Sequence, residues 1–522
     1  MGLYISSNTA MNTNLTKATL RPEKFTRQEC FSLFRDVIAP LFSLANNANR
    51  YYYTLQATDL NNEYPAKLLE ELTGYKVEYY YYGDENVLMM EMSSGEANYD
   101  LVQVEAPQFQ TLLGKNAIKD MRKAVDKYPE ILENLYEPVV AYASTEDGGF
   151  YSIVDSNDAT YGVGLNYRSD IFAEHGYEEP ATIQEFHDLL VKIKEDTGLI
   201  PFTGNSAYED IIGSAFGLTY NLVLGEDGKV TSYLYQPGMK EYLAWMRDAY
   251  AEGLIDPEYP VNTSATITEK MGSGKAVITR GGHWTTLPWV TALQESGDED
   301  AYFKSIIPLE DANGTRHIAC SNGVGVMFVM PRAVSDERTE YVMGMVNERL
   351  KYDTYWTFNI GITGTHHTID EDGIPHPIFP AFTDGFTYAD KFQIGRNKDA
   401  HPIAWMARVQ KSQCQWDTFY DINYKASAYP LEGNPLAFAS FPAYAEYNTA
   451  LTKKCNDYFM QVIAGAEDLD ATYDDFVKEW EEEGGLELLE GAQEWLDANP
   501  KMAQYGMQSY SPYAKIFGYD IK

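Results

Sequence analysis

Hydrophobic positions along this chain switch repeatedly between the two-residue spacing of strands and the three-to-four-residue spacing of helices. From residue 51 onward the pattern predicts, in order, a strand over 51–58, a helix over 62–73, a strand over 76–82, a helix over 85–94 and a short buried strand over 101–104. Gly74 and Gly95 stand where the two helices should end. Because strands and helices alternate, the pattern favours an α/β fold with a mostly parallel sheet covered by helices.

A clear local pattern lies between residues 161 and 197, YGVGLNYRSDIFAEHGYEEPATIQEFHDLLVKIKEDT. An apolar strand runs into a short helix that should stop at Gly176, and a Pro-Ala-Thr turn follows. Thr182 then opens an amphipathic helix, with Gln184 and Glu185 close behind in the spacing of a capping box. The segment therefore predicts a strand, a helix, a turn and a capped helix in succession.

Several motifs, in this order along the chain, resemble the family 1 extracellular solute-binding proteins of ABC transporters. Besides the 161–197 segment they are GGFYSIV at 148–154, GSGKAVITRGGHWTTLPW at 272–289, YFKSIIPLEDANGTRHIACSNGVGVMFVM at 302–330 and YFMQVIAGAEDLDATYDDFVKEWEEEGGLELLEGAQEWLD at 458–497. The segment NIGITGTHHTIDEDGIP at 359–375 is similar to a feature of the longer, oligosaccharide-binding members. The resemblance covers most of the chain after residue 50.

The resemblance implies an α/β fold of two lobes, with the type II architecture of periplasmic binding proteins and a ligand cleft between the lobes. A chain of 522 residues is long enough for two cores. Three segments look like crossings between lobes, near 150–158, 302–310 and 400–440. The expected organisation is an N-terminal extension over 1–48, a first lobe of 49–155 and 306–400, and a second lobe of 156–305 and 401–522.

The same resemblance implies a substrate-binding protein of an ABC importer rather than an enzyme. As a monomer, it would capture a carbohydrate, in particular an oligosaccharide, by lobe closure and deliver it to the permease subunits of the transporter. Two alternatives stay open: a glycan-active enzyme on a two-lobed scaffold, and a binding protein for a peptide or another non-sugar solute. Turnover of an oligosaccharide would favour the enzyme, and the ligand class that raises the melting temperature would identify the solute.

Composition narrows the range of partners. The formal net charge is -37, which argues against nucleic acid as a partner, because phosphate binding needs a basic surface. Anionic membranes and polyanionic sugars are disfavoured for the same reason. The chain has 41 tyrosines, and a flat apolar face with a hydroxyl group suits a sugar ring with its apolar face and polar rim.

The cellular location follows only from the resemblance. No stretch of the sequence has the ~18 consecutive apolar residues of a membrane span. The N-terminus lacks the apolar region of a secretory signal, and Cys30, after Arg-Gln-Glu, is not a lipidation site. The family implies a lipoprotein at the extracellular face of the bacterial cell membrane or in the periplasm, so either this chain lacks its leader or its start is misassigned.

Catalytic and metal-binding motifs are weak. The chain contains neither a G-x-S-x-G nucleophile motif nor a G-x-x-x-x-G-K-[ST] phosphate loop, and no carboxylate pair stands out. His366 and His367 are adjacent and would point to opposite faces of a strand, so they should not share a metal ion. Some family members carry a calcium loop after the helix ending near Asp196, but this chain reads EDTGLIPFTG there. We therefore expect no metal and no cofactor.

Aromatic platforms and polar strand ends are the remaining candidates for a ligand site. Trp284 follows Gly281-Gly282-His283 at a predicted strand end, where small residues allow a sharp turn and where ligands bind in doubly wound sheets. The resemblance makes it the tryptophan that stacks on the solute. The other predicted ligand-binding residues are His283, Glu105, Asn157, Tyr161, Asn205, Trp356, His367, Trp405 and Trp416. The tryptophans expected to be structural are Trp245, Trp480 and Trp495.

Overall fold

The computed structural model describes residues 60–80, 84–156, 162–225, 227–320, 322–386 and 389–506. The predicted strand at 51–58 and the predicted N-terminal extension lie outside these ranges. None of the helices within the described ranges has the length and apolarity needed to cross a membrane.

The strands are short. They are β1 (Val102–Val104), β2 (Ile153–Ser156), β3 (Val163–Arg168), β4 (Ile200–Thr203), β5 (Leu222–Leu224), β6 (Val230–Ser232), β7 (Ala276–Gly282), β8 (Phe303–Ile306), β9 (Ile318–Ala319), β10 (Val324–Val329), β11 (His367–Ile369), β12 (Pro375–Pro377) and β13 (Leu431–Glu432).

Helices make up most of the remaining regular structure. They are α1 (Tyr64–Thr73), α2 (Glu85–Ser94), α3 (Ala106–Gly114), α4 (Arg122–Val125), α5 (Pro129–Glu133), α6 (Glu137–Tyr142), α7 (Ser169–His175), α8 (Ile183–Thr197), α9 (Asp210–Gly213), α10 (Pro237–Ala251), α11 (Ser264–Gly272), α12 (His283–Glu295), α13 (Asp336–Leu350), α14 (Tyr352–Ile360), α15 (Ala381–Phe386), α16 (Ala400–Arg408), α17 (Gln413–Ser427), α18 (Pro442–Ile463), α19 (Leu469–Trp480), α20 (Leu486–Ala498) and α21 (Pro500–Gly506).

The first lobe is built on a sheet of order β1-β10-β2, in which both pairs of neighbours are antiparallel. Val102 lies opposite Val329, and Ile153 lies opposite Phe328. Side chains from this sheet and from α2, α3 and α13 form one buried core, which includes Leu88, Phe109, Val154, Met327 and Met343. A smaller core beside it joins α1, α14, α15 and α16.

The second lobe is built on a sheet of order β4-β7-β3-β8. β3 runs antiparallel to β7 and β8, and β4 runs parallel to β7. Leu165 therefore lies opposite both Arg280 and Ile306. The core of this lobe extends into the C-terminal helices α18, α19 and α20 and includes Leu190, Tyr242, Phe459, Trp480 and Leu488.

The expectation of a mostly parallel sheet is wrong for the described strands, because only the pairs β4–β7 and β9–β13 are parallel. The path of the chain between the lobes explains the difference. β2 leads out of the first lobe and β10 returns to it, so the two strands run in opposite directions when they pair. β3 and β8 enter and leave the second lobe in the same way.

The predicted strand over 76–82 is not found in its described part, residues 76–80. The side chain of Asn61 takes the place of a neighbouring strand there. Its Nδ2 donates to the carbonyl oxygen of Tyr79 at 3.1 Å, and its Oδ1 accepts from the N–H of Tyr79 at 2.8 Å. The Tyr79 ring packs edge-on against Phe392 at 4.9 Å. One side chain thus satisfies backbone groups that would otherwise need a sheet partner.

The elements predicted between 161 and 197 are confirmed from residue 163 onward as β3, α7 and α8. α7 ends at Gly176, whose φ of 69° suits glycine. Thr182 Oγ1 accepts from the N–H of Glu185 at 3.3 Å, and Glu185 Oε2 accepts from the N–H of Thr182 at 3.1 Å. This reciprocal pair is the predicted capping box.

Replacing Thr182 with alanine should lower the free energy of unfolding by about 1 kcal/mol, because the first turn of α8 loses its cap. The midpoint of urea unfolding measures the effect. Thr291→Ala is the matched control: Thr291 is exposed within α12 and caps no helix. If both variants unfold at the same urea concentration, the cap does not stabilise the protein.

The three tryptophans predicted to be structural lie in or against the second-lobe core. Trp480 is buried within it, and Trp495 packs against it. Trp245 is half-buried and stacks on Phe186 with ring centroids 5.9 Å apart.

Candidate functional site

Trp284 lies where β7 leads directly into α12. Gly281 and Gly282 stay within the strand and Gly282 has a φ of -89°, so the predicted sharp glycine turn does not form. The glycine instead permits close approach: the indole folds back over Gly282, where a Cβ would lie 2.3 Å from a ring carbon of Trp284. Trp284 is 52% exposed. Its indole is therefore held against the backbone and remains accessible to a ligand.

His283 lies beneath Trp284 and is buried. Its ring is edge-on to Trp284 at 5.0 Å and to Phe419 of α17 at 5.1 Å. Burial, followed by the positive charge of Lys411, lowers the pKa of His283 to about 3. The imidazole is therefore neutral near pH 7 and supports Trp284 as an aromatic packing group.

Trp405 belongs to the first lobe and lies close to His283. It projects from α16, and its ring centroid lies 6.4 Å from His283 and 5.8 Å from His401. The Tyr355 hydroxyl and His401 Nδ1 share a hydrogen bond of 2.9 Å. These contacts connect side chains of both lobes. We call this group the interlobe aromatic cluster; it consists of His283, Trp284, Tyr355, His401, Trp405 and Phe419.

Trp416 begins an aromatic row along α17. Trp416, Tyr420 and Tyr424 are spaced four residues apart and therefore share one face of the helix. Their ring centroids are separated by 6.2 Å and 5.0 Å, and the two tyrosine rings are nearly parallel at 12°. Tyr420 and Tyr424 are both exposed. Sequence reasoning named Trp416 alone, although the four-residue spacing in QWDTFYDINY could have added both tyrosines.

Of the four predicted polar ligand-binding residues, two are exposed and two lie outside the described residues. Glu105 is exposed at the end of β1, where it precedes α3 and its N–H donates to Gln108 Oε1 at 2.7 Å. Asn205 is exposed just after β4. Asn157 and Tyr161 lie outside the described residues.

Trp356 and His367 belong to a different part of the first lobe. Trp356 is half-buried against the smaller core and lies edge-on to His367 at 5.6 Å. His367 is completely buried, and its two ring nitrogens bond to the Ile360 carbonyl oxygen and Thr363 Oγ1, each at 2.9 Å. The structure therefore places His367 in the packing around β11, not at an accessible surface.

Glu209 is a buried acid near Asn205 that sequence reasoning missed. Its Oε1 accepts a hydrogen bond of 3.1 Å from the Tyr259 hydroxyl, and its Oε2 lies 3.6 Å from Arg280 Nε. Burial raises the pKa of Glu209 to about 7, although Arg280 opposes the shift. Arg280 is held mainly by Asp210, at 2.8 Å. Nothing in the pattern around Glu209 signals burial, because the residues that cover it come from other elements.

Within the described ranges, no group of three or more histidine, cysteine, aspartate or glutamate side chains is arranged to hold a metal ion. The expectation that binding needs no metal stays a prediction.

Two lobes, each with its own sheet, meet at an aromatic cluster, and this arrangement defines a two-lobed binding protein. Residues 66–340 match the family described as bacterial extracellular solute-binding protein, and the chain belongs to that family. The resemblance seen in the sequence is thereby confirmed, together with the two-lobed α/β fold. The family consists of binding proteins rather than enzymes.

Two relatives extend the comparison by sequence. An uncharacterized protein in the butB 5'region of Niallia circulans is 32% identical over 256 residues, covering 49% of this chain and 98% of that protein. Lipoprotein LipO of Bacillus subtilis is 22% identical over 467 residues, covering 81% of this chain and 86% of that protein.

Two solved structures share the fold at low sequence identity. The alginate-binding protein AlgQ2 superimposes with a TM-score of 0.63 at 16% identity, covering 84% of this chain and 94% of that chain. The substrate-binding protein FusA of S. pneumoniae, in complex with kestose, gives a TM-score of 0.58 at 18% identity, covering 84% and 96%.

Proposed function

We propose that this protein captures an oligosaccharide between its lobes and presents it to an ABC importer. The observation that carries the proposal is the interlobe aromatic cluster, in which His283 lies 5.0 Å from Trp284 of the second lobe and 6.4 Å from Trp405 of the first. A ligand that contacts both indoles favours the closed arrangement of the lobes. The names of the two solved neighbours, one binding alginate and one in complex with kestose, support a carbohydrate ligand.

Sugar rings have an apolar face and a rim of hydroxyl groups, and the proposed site offers both kinds of partner. Trp284, Trp405 and Trp416 supply aromatic faces, with His283 as support beneath Trp284. The polar partners we propose are Glu105, Asn205 and, from the sequence pattern alone, Asn157 and Tyr161. The aromatic row of α17 spans about 12 Å at ~1.5 Å per residue, which suits a chain of rings better than a single ring.

Closure requires bending where the chain passes between lobes. We propose these passages between β2 and β3 and between β8 and β10, because β2 and β10 share one sheet and β3 and β8 share the other. We propose the third passage between α16 and α17. The expected boundary at residue 400 coincides with the first residue of α16, whose Ala404 and Ala407 belong to the same core as Phe358 of the first lobe. We therefore place the third crossing after Arg408 and keep the other expected boundaries.

The family is extracellular, and a lipoprotein is among the relatives. We infer that the protein works at the extracellular face of the bacterial cell membrane or in the periplasm. There it would act as a monomer that docks on the permease subunits.

A thermal-shift screen over a panel of oligosaccharides tests the proposal. At a hundred times its dissociation constant, the cognate sugar should stabilise the folded protein by about 2.7 kcal/mol, because it binds only the folded state. Peptides of similar size serve as the control class. Stabilisation by peptides and not by sugars would refute the proposal, and shortening of the sugars during incubation would reveal an enzyme.

A further inference from the structure

The segment that carries Trp405 is basic, in contrast to the protein as a whole. Residues 389–411 contain five lysine or arginine residues and two aspartates, a formal charge of +3 in a chain of net charge -37. The segment includes all of α16 and ends at Lys411, just before α17. Positive charge is thus concentrated beside the interlobe aromatic cluster.

Two carboxylates near this charge, Asp390 in the segment and Asp155 outside it, are already engaged. Asp390 pairs with Arg408 and with Lys391, each at 2.6 Å. Asp155, at the end of β2, accepts from the N–H of Gly395 at 2.8 Å and lies 3.6 Å from Arg396 Nε. Arg408 and Lys391 therefore have close ionic partners, whereas Arg396 has one distant carboxylate.

Lys411 differs from Arg408 and Lys391, which have close ionic partners, and from Arg396, which has a distant one. Among the described residues, no carboxylate lies within the 4.0 Å ion-pair distance of its Nζ. Its side chain is accessible yet crowded: burial and the charges of Arg408 and Lys391 lower the pKa of Lys411, although Asp390 acts in the opposite direction. Val409, two residues before Lys411, packs in one small core with Phe419 and Trp405, so this end of the segment lies beside the interlobe aromatic cluster. The charge of Lys411 correspondingly lowers the pKa of His283.

Arg396 lies beside His401, another member of the cluster, because the N–H of His401 donates to the carbonyl oxygen of the next residue, Asn397, at 2.8 Å. Burial, then the charges of Arg396 and Arg408, hold the pKa of His401 well below its usual value. His401 in turn contacts Trp405 at 5.8 Å. Within the described residues, the contacts of Arg396 involve its Nε, at 3.6 Å from Asp155 and 3.4 Å from Gln393 Oε1. Its two terminal nitrogens can therefore serve a ligand.

We propose that the captured oligosaccharide is acidic, and that Lys411 and Arg396 bind carboxylate or sulfate groups on its rings while Trp284 and Trp405 contact the ring faces. This inference rests on the proposed function. Lobe closure over a neutral sugar would remove water from an unpaired ammonium group, which is costly, whereas an anion supplies the missing partner. The planar guanidinium of Arg396 also suits two-point binding of a carboxylate.

The net charge of -37, from which the sequence disfavours polyanionic sugars, does not exclude a ligand with a few acidic groups. Net charge acts on the encounter at a distance and is screened by salt beyond about 8–10 Å. The affinity of the bound state depends on the charges in direct contact with the ligand. The charges that we place against the acidic groups are the positive ones of Lys411 and Arg396, whereas Glu105 would accept from ring hydroxyl groups.

Calorimetry with matched ligands tests the inference. Each uronate-containing oligosaccharide is compared with its carboxyl-reduced form, and each sulfated oligosaccharide with its desulfated form. The acidic member of the cognate pair should bind at least about tenfold more tightly, and Lys411→Gln should weaken it roughly ten- to hundredfold. The neutral member should bind the variant at least as tightly as the parent, because the variant no longer has an ammonium group to dehydrate on closure.

Lys398→Gln is the matched control, because Lys398 is an exposed lysine in the same segment and its replacement changes the net charge equally. It should leave both affinities unchanged. If the neutral member binds the parent protein as tightly as the acidic member, or more tightly, the acidic-ligand inference is overturned. The proposed function then stays intact. Binding of peptides and of no sugar would overturn both. An acidic preference that survives in Lys411→Gln and in Arg396→Gln would overturn the roles assigned to these two residues.

Discussion

Replacing Trp284 with alanine should weaken oligosaccharide binding roughly ten- to hundredfold. By analogy with nucleic-acid bases stacked on aromatic side chains, one stacked ring contributes ~1–3 kcal/mol, and each ~1.4 kcal/mol corresponds to a factor of ten. The fold should remain intact, because Trp284 is 52% exposed and contributes little to the core. Titration calorimetry with the sugar identified by the thermal-shift screen measures the loss.

Trp495→Ala is the control for removing an indole of equal size. Trp495 packs against the second-lobe core, so its loss should lower the melting temperature while the folded fraction binds sugar with parental affinity. If Trp284→Ala binds like the parent, Trp284 is only a cover for His283, and the ligand site lies elsewhere.

Local elements with strong boundary signals were predictable from the sequence. The strand, helix and capped helix after residue 162 depend on interactions within a few residues, such as the Thr182–Glu185 pair and the glycine at 176. Such interactions are visible in the order of residues alone. The family resemblance extended this knowledge to the two-lobed fold, which spacing arguments could not supply.

Strand directions and packing contacts between distant segments could not be predicted from the sequence patterns. The direction of β10 relative to β2 depends on how the chain travels between lobes, and a strand pattern carries no such information. The alternating pattern over 76–80 reflects packing of Tyr79 on Phe392 rather than sheet pairing. The prediction of a sharp turn at Gly282 was wrong for a related reason. The same residues can form a glycine turn or a straight strand over which the indole folds, and the sequence does not distinguish the two.

In the candidate site, too, single residues were predictable from the sequence, whereas their arrangement was not. The sequence singled out Trp284 at a predicted strand end, and Trp405 and Trp416 in segments expected to be aromatic loops, which the structure shows as α16 and α17. Their relation through His283 and Phe419 emerges only when α12, α16 and α17 are packed together.

Glu209 should make the stability of the second lobe depend on pH. Its carboxyl group is almost completely buried, and burial raises its pKa from 4.5 to about 7. Between these two pH values the folded state retains a proton that the unfolded chain has released, so stability falls as pH rises. The contribution of Glu209 is fully present below the ordinary pKa, is lost progressively as pH approaches the raised pKa, and changes no further above it.

Glu209→Gln should remove this dependence, because the amide stays neutral at every pH and keeps an oxygen that can accept from Tyr259. The variant should match the parent near pH 4.5 and exceed it by about 3 kcal/mol at pH 8, since one pKa unit corresponds to ~1.4 kcal/mol. Urea unfolding of both proteins across this pH range gives the difference. Glu299→Gln, an equal change of charge at an exposed position of the second lobe, should leave the pH profile parallel to that of the parent. If Glu209→Gln also runs parallel to the parent, the buried carboxyl group is ionised in the folded protein and the ion pair with Arg280 outweighs its burial.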